Sequence, residues 1–245
     1  MFKRGHKPIV CEASDSLGGQ FLLAGAAPRK SDFVRAGKMA IRNIEDEGVE
    51  IRTNTPVTPA LIEAEKPDAV VIAIGSSPII PKIPGADSDI VVESHAILQR
   101  EDIPAGKAVV IGGGLVGIEV AEYLAERGSS VTVVEMKDGI LTEMGQLRQI
   151  GTSMAMAQED INVLLQTTCK AIEGNHVIVE SAEGEKTLDA DLVVMAIGSK
   201  PIPSDDLQET CKKLGIPCYV IRDALAAPRL AMNAIHEGYR AALEI

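Results

Sequence analysis

Tryptophan is absent from this chain and aromatic residues make up only 2% of it, so any core must be built from aliphatic side chains. Cysteine is scarce: Cys11, Cys169, Cys211 and Cys218 form no C-x-x-C pair and no zinc-ligand spacing. That excludes a redox dithiol of closely spaced cysteines and leaves reduced thiols, as expected of a cytoplasmic protein. The four histidines, His6, His95, His176 and His236, do not cluster in sequence. Basic charge is also short: 24 Lys and Arg against 35 Asp and Glu leave a net charge of −11. Nucleic acid and anionic membranes both select basic faces, so neither is an expected partner. No apolar run approaches membrane-spanning length, and the N-terminus carries no apolar signal region. The cytoplasm is therefore the expected location.

What the chain does have is aliphatic bulk: 46% of its 245 residues are hydrophobic, enough for one large domain or two modest ones. The stretch that organises it runs from Lys107 to Glu135. A β-branched run, Ala108 to Ile111, meets Gly112-Gly113-Gly114-Leu115-Val116-Gly117, which has the G-x-G-x-x-G spacing. A helical pattern follows, with Val116, Val120 and Leu124 on one face and Gly128 as a stop, and a second strand, Val131 to Val134, ends in Glu135. Gly112 permits the tight turn, Gly114 lets backbone approach a pyrophosphate, and Gly117 lets helix and strand pack closely. The pyrophosphate would rest on the free N–H groups at the helix N-terminus. Glu135 stands 18 residues beyond Gly117, where a carboxylate accepts hydrogen bonds from a ribose and repels a 2′-phosphate, favouring NAD over NADP.

The chain also repeats itself. An offset of 123 residues relates Arg4-Gly5 and Glu12 to Arg127-Gly128 and Glu135, and Asp68 to Ser76 onto Asp191 to Ser199. Two copies of a dinucleotide-binding unit are implied. The first copy has no counterpart of the strand, glycine loop and helix at 107–125, so it is expected to be incomplete at its N-terminus. Its remaining elements are a strand at Ile9 to Glu12, a glycine turn at Ser16 to Gln20, a helix over Phe33 to Glu47, a strand at Val49 to Thr53, a short helix over Pro59 to Glu65 and a buried strand at Ala69 to Ile74. Ser76 to Asp87 carries three prolines and reads as a crossover linker.

The second copy continues with a Met-rich helix over Leu141 to Asp160, whose stripe of Met144, Leu147, Ile150 and Met154 is expected in the core. Short strands follow at 163–166, 169–173, 176–181 and 186–189, then Leu192 to Gly198. A strand at Pro217 to Asp223 and a helix over Asn233 to Ile245 should return to the first unit. The expected class is α/β, with two Rossmann-like FAD/NAD(P)-binding domains, the second inserted in the first. The boundaries are 1–101 and 204–245 for the incomplete FAD-binding domain and 102–203 for the NAD(H)-binding domain.

Leu17-Gly-Gly-Gln20, the two Ala-Ile-Gly strand ends, the glycine loop and the closing Asp223, Pro228-Arg229 and Ala234 to Tyr239 segment together resemble one family. It is the FAD/NAD-binding C-terminal half of NADH:flavin oxidoreductases of the enoate reductase and 2,4-dienoyl-CoA reductase type, and the resemblance spans nearly the whole chain. It implies an enzyme module passing a hydride from NADH to FAD, with onward transfer to an iron–sulfur and FMN-bearing domain that reduces an activated double bond. By the resemblance, Gly112, Gly114, Leu115, Val116, Gly117, Glu135 and Gly198 hold NAD(H), and Glu12, Gly19, Gln20, Gly75 and Asp223 hold FAD. Glu119 matches an acid near the nicotinamide in related disulfide reductases; the other reading is a surface carboxylate serving the helix dipole.

The departures from the family are the absent barrel, cluster cysteines and first phosphate loop, and Arg222 where the family has glycine before Asp223. They leave a second reading, an NAD(H)-binding module without FAD and without turnover. The basic residues Lys3, Arg4, Lys7, Arg29, Lys30 and Arg35 could reach phosphates or simply solvate a surface. An uncovered edge of the incomplete sheet would favour a homo-oligomer.

Overall fold

The computed structural model describes residues 1–142, 144–224 and 231–245, with the side chains of Arg148 and Arg222 outside the description. In chain order the elements are β1 (Ile9–Cys11), α1 (Gly19–Leu23), α2 (Ser31–Asp46), β2 (Glu50–Arg52), α3 (Pro59–Glu65), β3 (Val70–Ile72), β4 (Ser76–Pro78), β5 (Val91–Glu93) and α4 (Ser94–Leu98). Then come β6 (Lys107–Ile111), α5 (Leu115–Ala125), β7 (Ser130–Val134), α6 (Gln146–Gln158), β8 (Asn162–Leu164), β9 (Thr168–Glu173), β10 (His176–Ser181) and β11 (Gly184–Asp189). The last are β12 (Leu192–Met195), β13 (Ser199–Pro201), α7 (Asp205–Leu214), β14 (Cys218–Val220) and α8 (Ala231–Glu244). Among the described residues, no helix is long and apolar enough to cross a membrane.

The chain divides into two units: Met1–Leu22, Asp32–Ser77 and Ser199–Ile245 form the first, Leu23–Ser31 and Pro78–Gly198 the second. This differs from the expected boundaries, and packing gives the reason. β5 pairs in parallel with β12, and Ala27 is buried in the core formed by α5 and β7, so both flanking segments go with the second unit.

The second unit is built on a five-stranded sheet in the order β5-β12-β6-β7-β8. All four pairings are parallel. Val109, Val110, Val131, Val133, Val193 and Val194 are buried, as befits parallel strands covered on both faces. One face packs on α5 through Val120, Ala121 and Leu124. The other packs on the antiparallel β9-β10-β11 sheet through Ile172, Val177 and Val179.

The first unit has two separate two-stranded parallel sheets, β1-β2 and β14-β3. Its core gathers Ile62, Ile72, Leu207 and Cys211. Thr58 caps α3, its hydroxyl accepting the Leu61 N–H at 3.3 Å, and Pro59 fits the first helical position. α7 is an addition to the expected elements. Two acids in its first turn, two lysines in its last and Gly215 beyond it are ordinary helix signals, but its apolar face is narrow.

The core assignment of the α6 stripe is corrected by the structure. Leu147, Ile150 and Met154 are 86%, 57% and 64% exposed, whereas Met156 is 2% exposed and lies in the core. The helix begins only at Gln146, after a turn in which Leu141 has φ 52°. The Gln149 amide then donates to the Leu141 and Met144 carbonyls at 3.0 and 2.8 Å, which fixes the inward face. Of the expected stripe, only Met144 packs against the core.

Candidate functional site

β6 delivers the chain into the glycine loop, and α5 leaves it with Gly114 as its N-cap. Gly112 has φ 112°, and a Cβ there would collide with the Ala196 carbonyl. A Cβ on Gly117 would collide with the Gly112 carbonyl oxygen, so this glycine is required for the helix to lie on the loop. Gly114 differs: a Cβ there would meet nothing within 4 Å. The first turn of α5 faces open space, with Gly114 and Val116 exposed and Leu115 half-buried. Val116 therefore sits at the open end of the helix, while Val120 and Leu124 on the same face are buried. The first N–H groups of a helix have no intrahelical partner, so this end can receive an anion.

Glu135 stands at the C-terminal end of β7. Its Oε2 accepts the Gly113 N–H at 2.6 Å and its Oε1 accepts the Lys137 N–H at 2.8 Å. The carboxylate is buried against the loop, and each oxygen keeps a further acceptor site. Gly198, at φ 115°, has open space where a Cβ would point.

Glu119 and Glu122 lie one turn further along α5. Glu119 is 7% exposed, which removes the surface-carboxylate reading, and it is ion-paired to Lys30. Arg29 donates from Nη2 to Glu122 Oε1 at 2.6 Å and from Nη1 to Glu159 Oε1 at 3.5 Å, with Glu126 at 3.7 Å. Arg29 and Lys30 thus neither merely solvate the surface nor stand apart from α5. Burial pushes the Glu122 carboxyl up from the ordinary value, opposed by Arg29 and assisted by the charges of Glu159, Glu119 and Glu126. A cavity of about 220 Å³ opens here, lined among others by Lys30, Leu115, Glu119, Glu122 and Thr152. No local sequence pattern reveals these pairs, because 93 residues separate Arg29 from Glu122 and 89 separate Lys30 from Glu119.

In the first unit Glu12 repeats one part of the Glu135 arrangement, Oε1 accepting the N–H two residues on, that of Ser14, and also the Ser14 hydroxyl, both at 2.8 Å. Gln20 donates from Nε2 to the Ser76 carbonyl at 2.7 Å, beside Gly75 at φ 77°. The Ser76 hydroxyl is buried with no hydrogen-bond partner. Gly19, at φ 42°, begins α1 rather than an open glycine turn. Asp223 is half-buried in a 3-10 turn. Pro228 and Arg229 lie outside the described residues, as does the side chain of Arg222.

A glycine loop between parallel strands, with a carboxylate at the end of the neighbouring strand, defines a dinucleotide-binding α/β unit. The family model "Pyridine nucleotide-disulphide oxidoreductase" matches residues 61–225, more than half of the chain. The chain belongs to this family. It is 34% identical to the bilirubin reductase of Mediterraneibacter gnavus (strain CC55_001C), over 98% of this chain and 37% of that one. It is 33% identical to an NADH oxidase of Thermoanaerobacter brockii, over 99% of this chain and 38% of that one. A 2-naphthoyl-CoA reductase, solved with 2-naphthoyl-CoA, superposes on 100% of this chain and 37% of its own with a TM-score of 0.92 and 32% identity. The chain thus spans under two fifths of the length of these relatives. The expected resemblance to NADH:flavin oxidoreductases of the enoate reductase type holds along its whole length.

Proposed function

We propose that the second unit binds NAD(H) and that the chain is the nicotinamide-to-flavin module of a longer cytoplasmic reductase. The observation that carries this reading is the open Gly114 at the N-terminus of α5, next to a loop anchored by Glu135. Gly112, Gly114 and Gly117 shape the loop, the first-turn N–H groups of Leu115 and Val116 face the pyrophosphate, Glu135 meets the ribose, and Gly198 leaves room opposite. The donor set fits NAD(H). Glu119, held by Lys30, stands near the nicotinamide end, where the pair would orient the ring and exclude water.

For FAD, Glu12 supplies the ribose carboxylate, while Gly19, Gln20, Gly75 and Asp223 line the remainder. The described residues of the first unit include no glycine loop to cradle its phosphates. Hydride movement between nicotinamide and flavin is chemistry that the cofactors supply when bound; the protein positions them. The substrate would be an activated C=C of enoate or enoyl-CoA type, reduced in an FMN and iron–sulfur domain beyond residues 1–245. The second reading is NAD(H) binding without flavin turnover.

A visible absorption spectrum of the purified chain, taken after FAD addition and gel filtration, tests both. Retained flavin that bleaches with NADH under anaerobic conditions supports the module. A colourless protein that still binds NADH supports binding alone, and one that binds neither overturns both readings.

A further inference from the structure

In the first unit α7 and β14 bring together two cysteines that six residues separate in sequence. Leu207 and Cys211, one turn apart on α7, both point into the core, and Cys211 is fully buried there. Gly215, at φ 70°, ends the helix with its N–H on the Cys211 and Lys212 carbonyls, and Ile216 donates to the Cys211 carbonyl at 2.9 Å. These bonds turn the chain back, so that Cys218 opens β14, paired in parallel with Val70 of β3. Cys218 packs against the cluster that holds Cys211, and the two thiols are hydrogen-bonding neighbours. Backbone hydrogen bonds thus fix both positions.

The two thiols differ in access. Cys211 is sealed in the core, whereas Cys218 is half-buried and lines a cavity of about 570 Å³ with Asp205, Gln208, Glu209, Lys212 and Ile216. Two carboxylates against one ammonium in that wall favour a small neutral reactant over an anion. Burial, and then the neighbouring Cys211, pushes the Cys218 thiol up to about 11. Cys218 is therefore protonated at neutral pH, and its thiolate fraction grows about tenfold with each pH unit. Cys169, which burial also pushes up to about 11, lies in the second unit among Ile172, Val177 and Val179 and serves as an internal control.

We propose that Cys218 and Cys211 are a peroxide-sensitive thiol pair that oxidises to an internal disulfide. The Cys218 thiolate attacks one oxygen of a neutral hydroperoxide. An S–O bond forms, the O–O bond breaks, and the other oxygen leaves as water or an alcohol, carrying the proton that Cys218 gave up. The Cys211 sulfur then attacks the Cys218 sulfur: the S–S bond forms, the S–O bond breaks, and water leaves with the Cys211 proton. In total the two thiols pass two electrons to the peroxide. The product converts the packing of α7 on β14 into a covalent latch, and it depends on neither NAD(H) nor FAD.

The test treats the 245-residue chain with hydrogen peroxide and reads its thiol count after denaturation, its intact mass and a peptide map. The count should fall from four to two and the mass by the two thiol hydrogens, with Cys211 and Cys218 linked and dithiothreitol restoring both. The rate should rise about tenfold with each pH unit above neutrality. The linked chain should unfold at a higher Tm, because the closed loop restricts the unfolded state. Cys218→Ser should form no link, and Cys211→Ala should stop at a sulfenic acid on Cys218 that dimedone captures. The parent's map decides even if a variant fails to fold. A link through Cys11 or Cys169, a chain that keeps all its thiols, or over-oxidation of Cys218 without a link overturns the proposal. So does a rate that stays flat as pH rises.

Discussion

Glu135, at the end of β7, accepts the N–H of Gly113 at 2.6 Å, so one strand's terminal carboxylate fastens the loop that leaves its neighbour. Gly113 is buried, and Glu135→Ala would strand its N–H without an acceptor. The expected loss of stability is about 1–3 kcal/mol. The same change removes the negative charge that disfavours a 2′-phosphate, so the preference for NADH over NADPH should fall. Thermal unfolding and paired titrations with the two nucleotides measure these effects. An unchanged preference would remove Glu135 from the ribose site.

Gly114 and Gly117 separate ligand contact from fold. Gly114 has φ −73° and open space at its Cβ position, so Gly114→Val should leave Tm nearly unchanged. If the pyrophosphate rests there, the variant should nevertheless lose NADH binding by at least about tenfold, or ~1.4 kcal/mol. Gly117→Ala drives a methyl into the Gly112 carbonyl and should cost roughly 1–3 kcal/mol of stability. Full NADH affinity in Gly114→Val would refute the assigned site.

The α6 helix yields a prediction opposite to the one its sequence pattern suggests. Leu147→Gln touches an exposed side chain and should change stability by no more than about 0.5 kcal/mol. Met156→Ala empties a core position and should cost about 2–5 kcal/mol. Urea unfolding of the two variants decides between the faces.

These cases show what the sequence could reveal. Strands β6, β7 and β12 are legible because they are buried on both faces and therefore read as continuous β-branched runs. The glycine loop is legible because sterics at Gly112 and Gly117 admit no other residue. The apolar spacing of α6 established a helix but not its buried face, since the turn at Leu141 shifted its start and Gln149 chose its orientation. The pairing of Arg29 and Lys30 with α5 was illegible, because only the folded chain brings them together.

The Arg29–Glu122 pair makes a pH prediction whose sign follows from burial. The Glu122 carboxyl titrates above its ordinary value in the fold, so the folded state holds its proton more tightly than the unfolded state. The stability contributed by neutral Glu122 is fully present below the ordinary carboxylate range and is lost as pH rises through the raised value. Glu122→Gln mimics the neutral form, so its Tm should gain on the parent's across that window and then level off. Arg29 opposes the shift, and Arg29→Met should move the window to higher pH. Removing Arg29 also strips a partner from the nearly buried Glu122, at a cost of about 1–3 kcal/mol near neutral pH. Tm measured against pH for the parent and both variants checks the sign. A parent that gains on Glu122→Gln as pH rises would show that the ion pair, not burial, controls this carboxyl.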